Sequence, residues 1–191
     1  MKGLRKPSEV TLKNGKTLEK VLELHKKWLN GEDEGERANL SGEDLSYSDL
    51  SGVNLSWANL EGTDLEGTNL EGTDLKGADL SHANLSGAIL IGANLSYADL
   101  SEASLIGAKF YLTNLYKSKG DFVSVGNIGS RNDTTHYFYK DNRIICGCFS
   151  GTMKDFEEKV KESYGEYEVE YKEYIIAIDT LKRLAELHMN N

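Results

Sequence analysis

The sequence predicts a mainly β protein whose central part is a stack of coils. From Leu40 to Leu115 a large apolar residue stands at every fifth position, which makes sixteen units in register. A period of five matches neither the 3.6-residue turn of an α-helix nor the two-residue alternation of a strand. The chain must therefore turn a corner in each unit, and four units close one coil if each unit forms one side of a square. Sixteen units then give about four coils, a post roughly 19 Å tall at the usual strand spacing.

Each unit has the same internal order. The residue two positions before the large apolar one is usually small, and the residue directly before it is usually Asp or Asn. We expect the apolar and the small residue to point into the coil and the other three to point outward. Glu43 departs from this order because it places a carboxylate at an inward position, and Ile89, Ser104 and Lys109 stand where Asp or Asn is usual.

This A(D/N)Lxx order resembles that of the pentapeptide-repeat proteins. Units such as Ala-Asn-Leu-Ser-Gly at 38–42 and Ala-Asp-Leu-Ser-His at 78–82 recur in constant phase. The resemblance covers residues 38–117 and implies a right-handed quadrilateral β-helix. It implies no single activity, although the quinolone-resistance members of the family resemble a DNA duplex and bind the DNA-binding saddle of gyrase.

Segments of a different kind flank the repeats, so we expect three domains, at 1–37, 38–117 and 118–191. In the first, Asn14 and Gly15 lie between short alternating stretches and indicate a hairpin. Apolar residues from Thr17 to Leu29 then recur at helical spacing, with Thr17 as the N-cap. We expect this amphipathic helix to cover the open edge of the first coil, as the end of a solenoid requires.

The residues after the repeats predict a small α+β domain. Short apolar runs separated by turn-rich stretches indicate a three-stranded meander, and a capping box of Thr152 and Asp155 begins a helix. A longer amphipathic helix follows. The strands are predicted at 122–125, 135–139 and 143–149, and the helices at about 153–165 and 168–188.

The sequence supplies no constellation for catalysis, a cofactor or a metal. Cys146 and Cys148 lie in an apolar run without a histidine pair nearby, so we interpret them as buried thiols. No nucleophile elbow or phosphate-binding loop is present. A binding or enzymatic activity in the tail is the third alternative, with its most polar residues at 131–136. No apolar run suits a membrane span or a signal peptide, which favours a cytoplasmic protein that does not associate with membranes.

Negative charge is concentrated in the repeats. Residues 38–117 hold eleven acids and three lysines, a net charge of minus eight, while the whole chain carries minus nine. Folding the repeats four to a coil places most of these acids on two neighbouring sides. This corner predicts an interaction surface for a basic protein, although turn formation and solubility would also explain the acids. The candidate acidic surface comprises Asp44, Glu61, Asp64, Glu66, Asp79, Asp99 and Glu102.

Two further groups of side chains are predicted to face outward. Large apolar residues cluster in the later coils, where either the C-terminal segment covers them or a dimer or another partner does. On the fourth side Trp57 and Tyr97 stand two coils apart with Gly77 between them, which suggests a shallow aromatic slot. The members of the apolar patch are Ile89, Ile91, Ile106, Tyr111 and Leu112.

These observations predict a non-catalytic repeat scaffold that acts through contacts with an unidentified protein and does not bind nucleic acid directly. Dimerisation stays open. The alternative function is an acidic DNA mimic that binds a topoisomerase such as gyrase. Eight net charges on about 19 Å give roughly one per 2.4 Å, against about one per 1.7 Å along duplex DNA. The post is nevertheless short, because 19 Å corresponds to under about six base pairs.

Overall fold

The computed structural model describes residues 3–109, 113–115, 117–120, 122–128, 133–139, 142–146, 149–164 and 169–189. The chain divides into two compact units, Met1–Gly120 and Asp121–Asn191. The first unit contains a 3₁₀ turn at Pro7–Glu9, helix α1 at Leu18–Leu29 and the repeats. The second contains an antiparallel sheet and two helices.

Parallel bridges join residues twenty positions apart along the repeats. This register confirms that one coil holds four units, and it arranges the residues before each leucine in four columns. β1 (Asp99–Leu100) pairs with β2 (Lys119–Gly120) in the same parallel sense. The first column contains residues 39, 59, 79, 99 and 119, the second 44, 64, 84 and 104, the third 49, 69, 89 and 109, and the fourth 54, 74, 94 and 114.

The interior of the coils is filled by the leucines and by the small residues two positions before them. Leucines from Leu40 to Leu95 are completely buried, and each such burial contributes about 1.5–3 kcal/mol relative to exposure. The inward threonines are tolerated because their hydroxyls donate hydrogen bonds to carbonyls of the preceding coil. Thr63, for example, donates to the Leu40 carbonyl at 2.8 Å.

The side chain before each leucine shapes the corner of its unit. Where this residue is Asp or Asn, its Oδ1 atom accepts the N–H two residues later, as from Ser46 to Asp44 at 2.9 Å and from Glu61 to Asn59 at 3.0 Å. Asn and Asp perform this function equally well, since each offers the same oxygen. The residue two positions after each leucine has a positive φ in every described unit. It is most often glycine, the residue that adopts this conformation without steric cost.

The N-terminal segment bonds to the first coil, where Arg5 forms a parallel bridge with Ser48, and its role as a cap stays a prediction. The side chain of Thr17 caps α1 by accepting the Lys20 N–H at 3.3 Å. The predicted hairpin is present as an antiparallel bridge between Thr11 and Thr17, with Gly15 at φ +80°. Glu43, which stands at an inward position, is half-buried, and its carboxylate accepts the backbone N–H of Lys13.

One buried histidine joins α1 to the repeats. His25 Nδ1 accepts the Ala38 N–H at 3.1 Å, so the neutral ring carries its proton on Nε2. The ring stacks on Trp28 with centroids 5.5 Å apart. Burial lowers the pKa of His25 because it disfavours the charged ring, and the positive charge of Arg37 adds to this effect.

The second unit contains a four-stranded antiparallel meander, not the three-stranded one predicted. The predicted strand 143–149 contains the end of one strand at Cys146 and the beginning of the next at Phe149, and these two residues pair. Apolar residues stand in both strands, so periodicity alone could not separate them. The buried side chains of α2 and α3 pack against the sheet around Phe156, Ile144 and Leu181. The strands are β3 (Phe122–Ile128), β4 (Asp133–Phe138), β5 (Arg143–Cys146) and β6 (Phe149–Thr152), and the helices are α2 (Met153–Ser163) and α3 (Val169–Met189).

Two predictions for the second unit, the capping box and the buried thiols, can be compared with the structure. The capping box is confirmed, because Asp155 N donates to Thr152 Oγ1 at 3.1 Å and Thr152 N donates to the Asp155 carboxylate at 3.0 Å. Cys146 is buried as a thiol, as expected, and its Sγ accepts a hydrogen bond from Thr135 Oγ1 at 3.0 Å. Cys148 lies outside the described residues.

The lowered pKa of His25 predicts that the first unit loses stability as the pH falls. Below about pH 6.5 the unfolded chain binds a proton that the folded chain does not, so the free energy of unfolding decreases by at most about 1.4 kcal/mol per pH unit. Urea unfolding at pH 7, 6 and 5 measures this, followed by the fluorescence of Trp28 and Trp57. Both tryptophans of the chain lie in this unit.

Two variants separate His25 from the other titrating groups. His25→Gln should flatten the pH dependence between pH 7 and 5, whereas His82→Gln, which changes an exposed histidine, should leave it as in the unchanged chain. Identical slopes for all three proteins would show that His25 does not control the acid stability of the first unit.

Candidate acidic interaction surface

Two neighbouring columns bring the candidate acids together. Asp79 and Asp99 are bridge partners in the first column, and Asp44 and Asp64 are bridge partners in the second. In each pair, carboxylates of equal charge therefore stand on adjacent coils, about 4.8 Å apart along the backbone ladder.

The other two columns avoid this arrangement. Asp49 is followed one coil later by Asn69, whose amide donates to the Asp49 carboxylate at 3.1 Å. Asp74 receives the same bond from Asn94 at 2.9 Å. Asn in the next coil thus supplies a donor where a second Asp would supply repulsion. The first and second columns each contain one pair that lacks this compensation.

A cation lies beside one member of each acidic pair. Arg5 Nη2 is 3.1 Å from Asp44 Oδ1, and Lys119 Nζ is 3.6 Å from Asp99 Oδ2. The pKa of Asp44 is lowered chiefly by the hydrogen bonds of Ser46, with a smaller effect of Arg5. The pKa of Asp99 is lowered chiefly by the Ser101 hydroxyl, with Lys119 adding to it. Both carboxylates are therefore firmly ionised at neutral pH.

The three glutamates of the surface have different surroundings. Glu61 is exposed, and its backbone N–H completes the corner at Asn59. Glu66 accepts the hydroxyl of Tyr47 at 2.6 Å, which raises the pKa of that tyrosine. Glu102 lies 3.8 Å from His82 Nδ1 at an exposed corner. All three carboxylates can reach a partner from solvent.

The predicted apolar patch is described only in part. Ile106 is 62% exposed, whereas Ile89 and Ile91 are half-buried. Tyr111 and Leu112 lie outside the described residues. The role of this patch remains a prediction.

Aromatic residues at the corners contact the next coil, which the sequence analysis did not anticipate for Tyr47. The ring of Tyr47 fills the space over Gly67, and the ring of Trp57 fills the space over Gly77. The predicted slot between Trp57 and Tyr97 is therefore occupied by the indole itself. The spacing of twenty from each aromatic residue to a glycine was the signal that could have revealed this packing.

The polar cluster predicted in the tail cannot be assembled from the described residues. Arg131 and Asn132 lie outside them. His136 on β4 contacts Phe122 with ring centroids 5.7 Å apart, and burial lowers the pKa of His136 to about 4. This histidine is neutral at physiological pH.

Among the described residues, no helix has the length and apolar content that crossing a bilayer would require.

Comparison with known proteins identifies the repeats. A family model described as pentapeptide repeats matches residues 38–77, 54–90 and 83–119. HetL, a pentapeptide-repeat protein involved in the regulation of heterocyst differentiation in Nostoc sp. strain PCC 7120, is 36% identical over 44% of this chain and 40% of its own, with a TM-score of 0.42. The chain thus spans less than half the length of HetL.

Two other solved structures show the range of these matches. A pentapeptide-repeat protein of the Arabidopsis thaliana thylakoid lumen is 34% identical over 46% of this chain and 67% of its own, with a TM-score of 0.34. QnrB1, a plasmid-mediated fluoroquinolone resistance protein, is 22% identical over 44% of this chain and 48% of its own, with a TM-score of 0.22. No curated protein matches the chain. Residues 38–119 are pentapeptide repeats, and the family predicted from the sequence is confirmed for this part of the chain.

Proposed function

We propose that this protein is a non-catalytic scaffold that acts in the cytoplasm through contacts with another protein. Its repeats form a right-handed quadrilateral β-helix, and the acidic surface of the first two columns binds a partner with a basic face. The surface comprises Asp44, Glu61, Asp64, Glu66, Asp79, Asp99 and Glu102.

The stacked aspartate pairs carry this proposal. Asn would form the corner of the unit as well as Asp does, because both offer Oδ1 to the N–H two residues later. Asn in the later coil would also donate to the Asp before it, as Asn69 does to Asp49. The pairs Asp44–Asp64 and Asp79–Asp99 therefore cost stability that the fold does not need to lose. Residues that oppose local stability are concentrated at functional sites.

The placement of the acids also suits a partner of opposite charge. They lie on two adjacent columns, so their fields add on one corner of the repeats and attract basic groups over several ångströms. The side of the third column has Asp49 and Glu71 together with Lys109, and the side of the fourth has Asp74 together with Lys76 and Lys117. These two columns produce a weaker field.

A DNA mimic directed at a topoisomerase such as gyrase is the second candidate. The density of net charge, roughly one per 2.4 Å of the repeats, approaches that of duplex DNA. The height of under about six base pairs counts against this candidate, because a mimic of the saddle would profit from a longer rod or an end-to-end dimer. This candidate shares the acidic surface with the first and differs from it in the partner.

Capture of partners from lysate tests the acidic surface. Changing Asp44, Asp64, Asp79 and Asp99 to Asn keeps the corner oxygens and removes four charges, so the repeats should fold while recovery of a basic partner falls at least tenfold. The control variant carries Asp49→Asn, Glu71→Gln and Asp74→Asn, which neutralise the other two columns. It should recover the partner as the unchanged chain does.

If both variants recover the partner as well as the unchanged chain does, the acidic surface has no role in this interaction. Recovery that falls equally with either variant would indicate an effect of net charge and not of this corner.

Inhibition of DNA supercoiling by gyrase tests the second candidate. The unchanged chain should inhibit at micromolar concentration, and the variant with four Asp→Asn changes should be at least tenfold weaker, because the mimic would lose half of its net charge. Absence of inhibition by the unchanged chain would exclude gyrase and leave the scaffold with another basic partner.

The cost of the stacked pairs can be measured directly. Asp64→Asn removes one of two like charges and adds an amide that can donate to Asp44, so we expect the free energy of unfolding to rise by about 0.5 kcal/mol. Asp49→Asn is the matched control, since Asp49 and Asp64 both accept a bond from the Asn one coil later but only Asp64 has an aspartate as a bridge partner. Urea unfolding at low and high salt distinguishes the two, because screening should reduce the gain. A loss of stability in Asp64→Asn would refute the cost of the pair.

A further inference from the structure

One edge of the repeats differs in chemistry from the acidic surface. At the corner between the fourth and first columns, residues twenty positions apart read Arg37, Trp57, Gly77, Tyr97 and Lys117. All but the glycine are exposed, and Trp57 and Tyr97 are 47% and 45% exposed. We call these five residues the aromatic edge.

The backbone at this edge is conformationally costly for bulky residues. In the described units the corner position always has a positive φ, and it holds nine glycines and six other residues. Trp57 has φ +65° and Tyr97 has φ +62°. A side chain in this region costs roughly 1–2 kcal/mol, and such residues persist at binding sites more often than elsewhere.

The indole of Trp57 lies over the backbone of the next coil and remains accessible to a partner. It covers Gly77 of the next coil, which fixes one face of the ring and leaves the other toward solvent. Within the described part of the chain, no acceptor forms a hydrogen bond with its Nε1–H. Tyr47, at a different corner, also covers a glycine, but its hydroxyl is bonded to Glu66 at 2.6 Å.

Positive charge surrounds the second aromatic ring. Lys76 Nζ lies 6.0 Å and Lys117 Nζ 5.7 Å from the centroid of Tyr97. Arg37 stands one coil before Trp57, and its Nε donates to the Trp57 carbonyl. The acid on this side, Asp74, has its Oδ1 engaged by the N–H of Lys76 at 3.1 Å and by the amide of Asn94.

We propose that the aromatic edge binds an acidic, extended segment of a partner protein. Tryptophan, tyrosine and arginine are the residues that most often dominate binding energy at protein interfaces, and here all three stand in one row. The backbones of Arg37 and Lys117 at the two ends are four coils or about 19 Å apart, and both side chains extend inward along the row, toward Trp57 and Tyr97. An extended chain covers this length in about six residues.

The geometry therefore specifies the segment. It carries a carboxylate toward each end, which pairs with Arg37 or Lys117, and apolar side chains between them, which contact Trp57 and Tyr97. The free indole N–H can donate to a carbonyl or carboxylate of the segment. Nucleic acid also offers negative charge and stacking, but it carries a phosphate at every nucleotide, some of which would lie beside Asp79 and Asp99 of the neighbouring first column, whereas the segment needs carboxylates only where the cations of the edge can reach them. This proposal does not depend on the acidic surface.

A designed peptide provides the probe. It has seven residues, glutamate at both ends, leucine and serine alternating between them, and a fluorescein label for anisotropy measurements with the full chain. The test variant is Trp57→Gly with Tyr97→Gly, which should fold because glycine is the usual residue at these corners. We expect its affinity for the peptide to fall at least tenfold.

Three controls make the result specific. Tyr47→Gly makes the same kind of change at another corner and should alter the affinity less than twofold. Lys76→Ser with Lys117→Gly uses residues common at these positions and should weaken binding at least fivefold. A peptide with lysine in place of both glutamates should bind at least tenfold more weakly than the acidic peptide.

Several outcomes would overturn the proposal. These are no binding of the acidic peptide at 1 mM, equal binding by all variants, or equal binding of both peptides. Binding of single-stranded DNA that the Trp57→Gly and Tyr97→Gly changes abolish would assign the edge to nucleic acid instead. Self-association that the same changes abolish and the acidic peptide does not compete with would assign it to a second copy of the chain. Since none of the variants alters the acidic surface, any of these results leaves the scaffold proposal standing.

Discussion

The pairing of each repeat residue with the one twenty positions later is the constraint on which the first unit depends. Backbone bridges impose this pairing, and it decides which side chains meet in adjacent coils. Leucines stack on leucines, threonine hydroxyls reach carbonyls of the coil before, and Asn amides reach Asp carboxylates. Since each side chain has the same neighbours above and below, a single substitution acts mainly on two adjacent coils.

The corner of each unit turns the chain so that this pairing can continue from coil to coil. An Asp or Asn oxygen accepts the N–H two residues later, and a residue of positive φ follows. Glycine suits that position, so residues such as Trp57 and Tyr97 are the exceptions that need an explanation from function or packing. Packing explains part of it, because Trp57 covers Gly77. It does not explain why the row contains cations as well, at Arg37 and Lys117.

Much of this organisation could be predicted from the sequence, because a period of five and a coil of four units leave little freedom. The columns and the side on which each acid lies follow from spacing alone. What the sequence concealed depends on three-dimensional detail. Glu43 occupies an inward position, yet its carboxylate bonds to Lys13. β5 ends and β6 begins inside one apolar run. The Trp57 ring fills the slot that spacing had suggested was open.

Two surfaces of opposite chemistry arise from the same register. In the first and second columns, aspartates are stacked where Asn would stabilise the fold, and at the aromatic edge, bulky residues occupy corners where glycine would. Each departure lowers stability through a different term, electrostatic repulsion in one case and backbone strain in the other. The repeats can accept both because their leucine core contributes far more than either departure removes. A fold whose stability comes from an identical buried ladder leaves its outward positions free to vary, and we interpret these two departures as the effect of binding on the sequence.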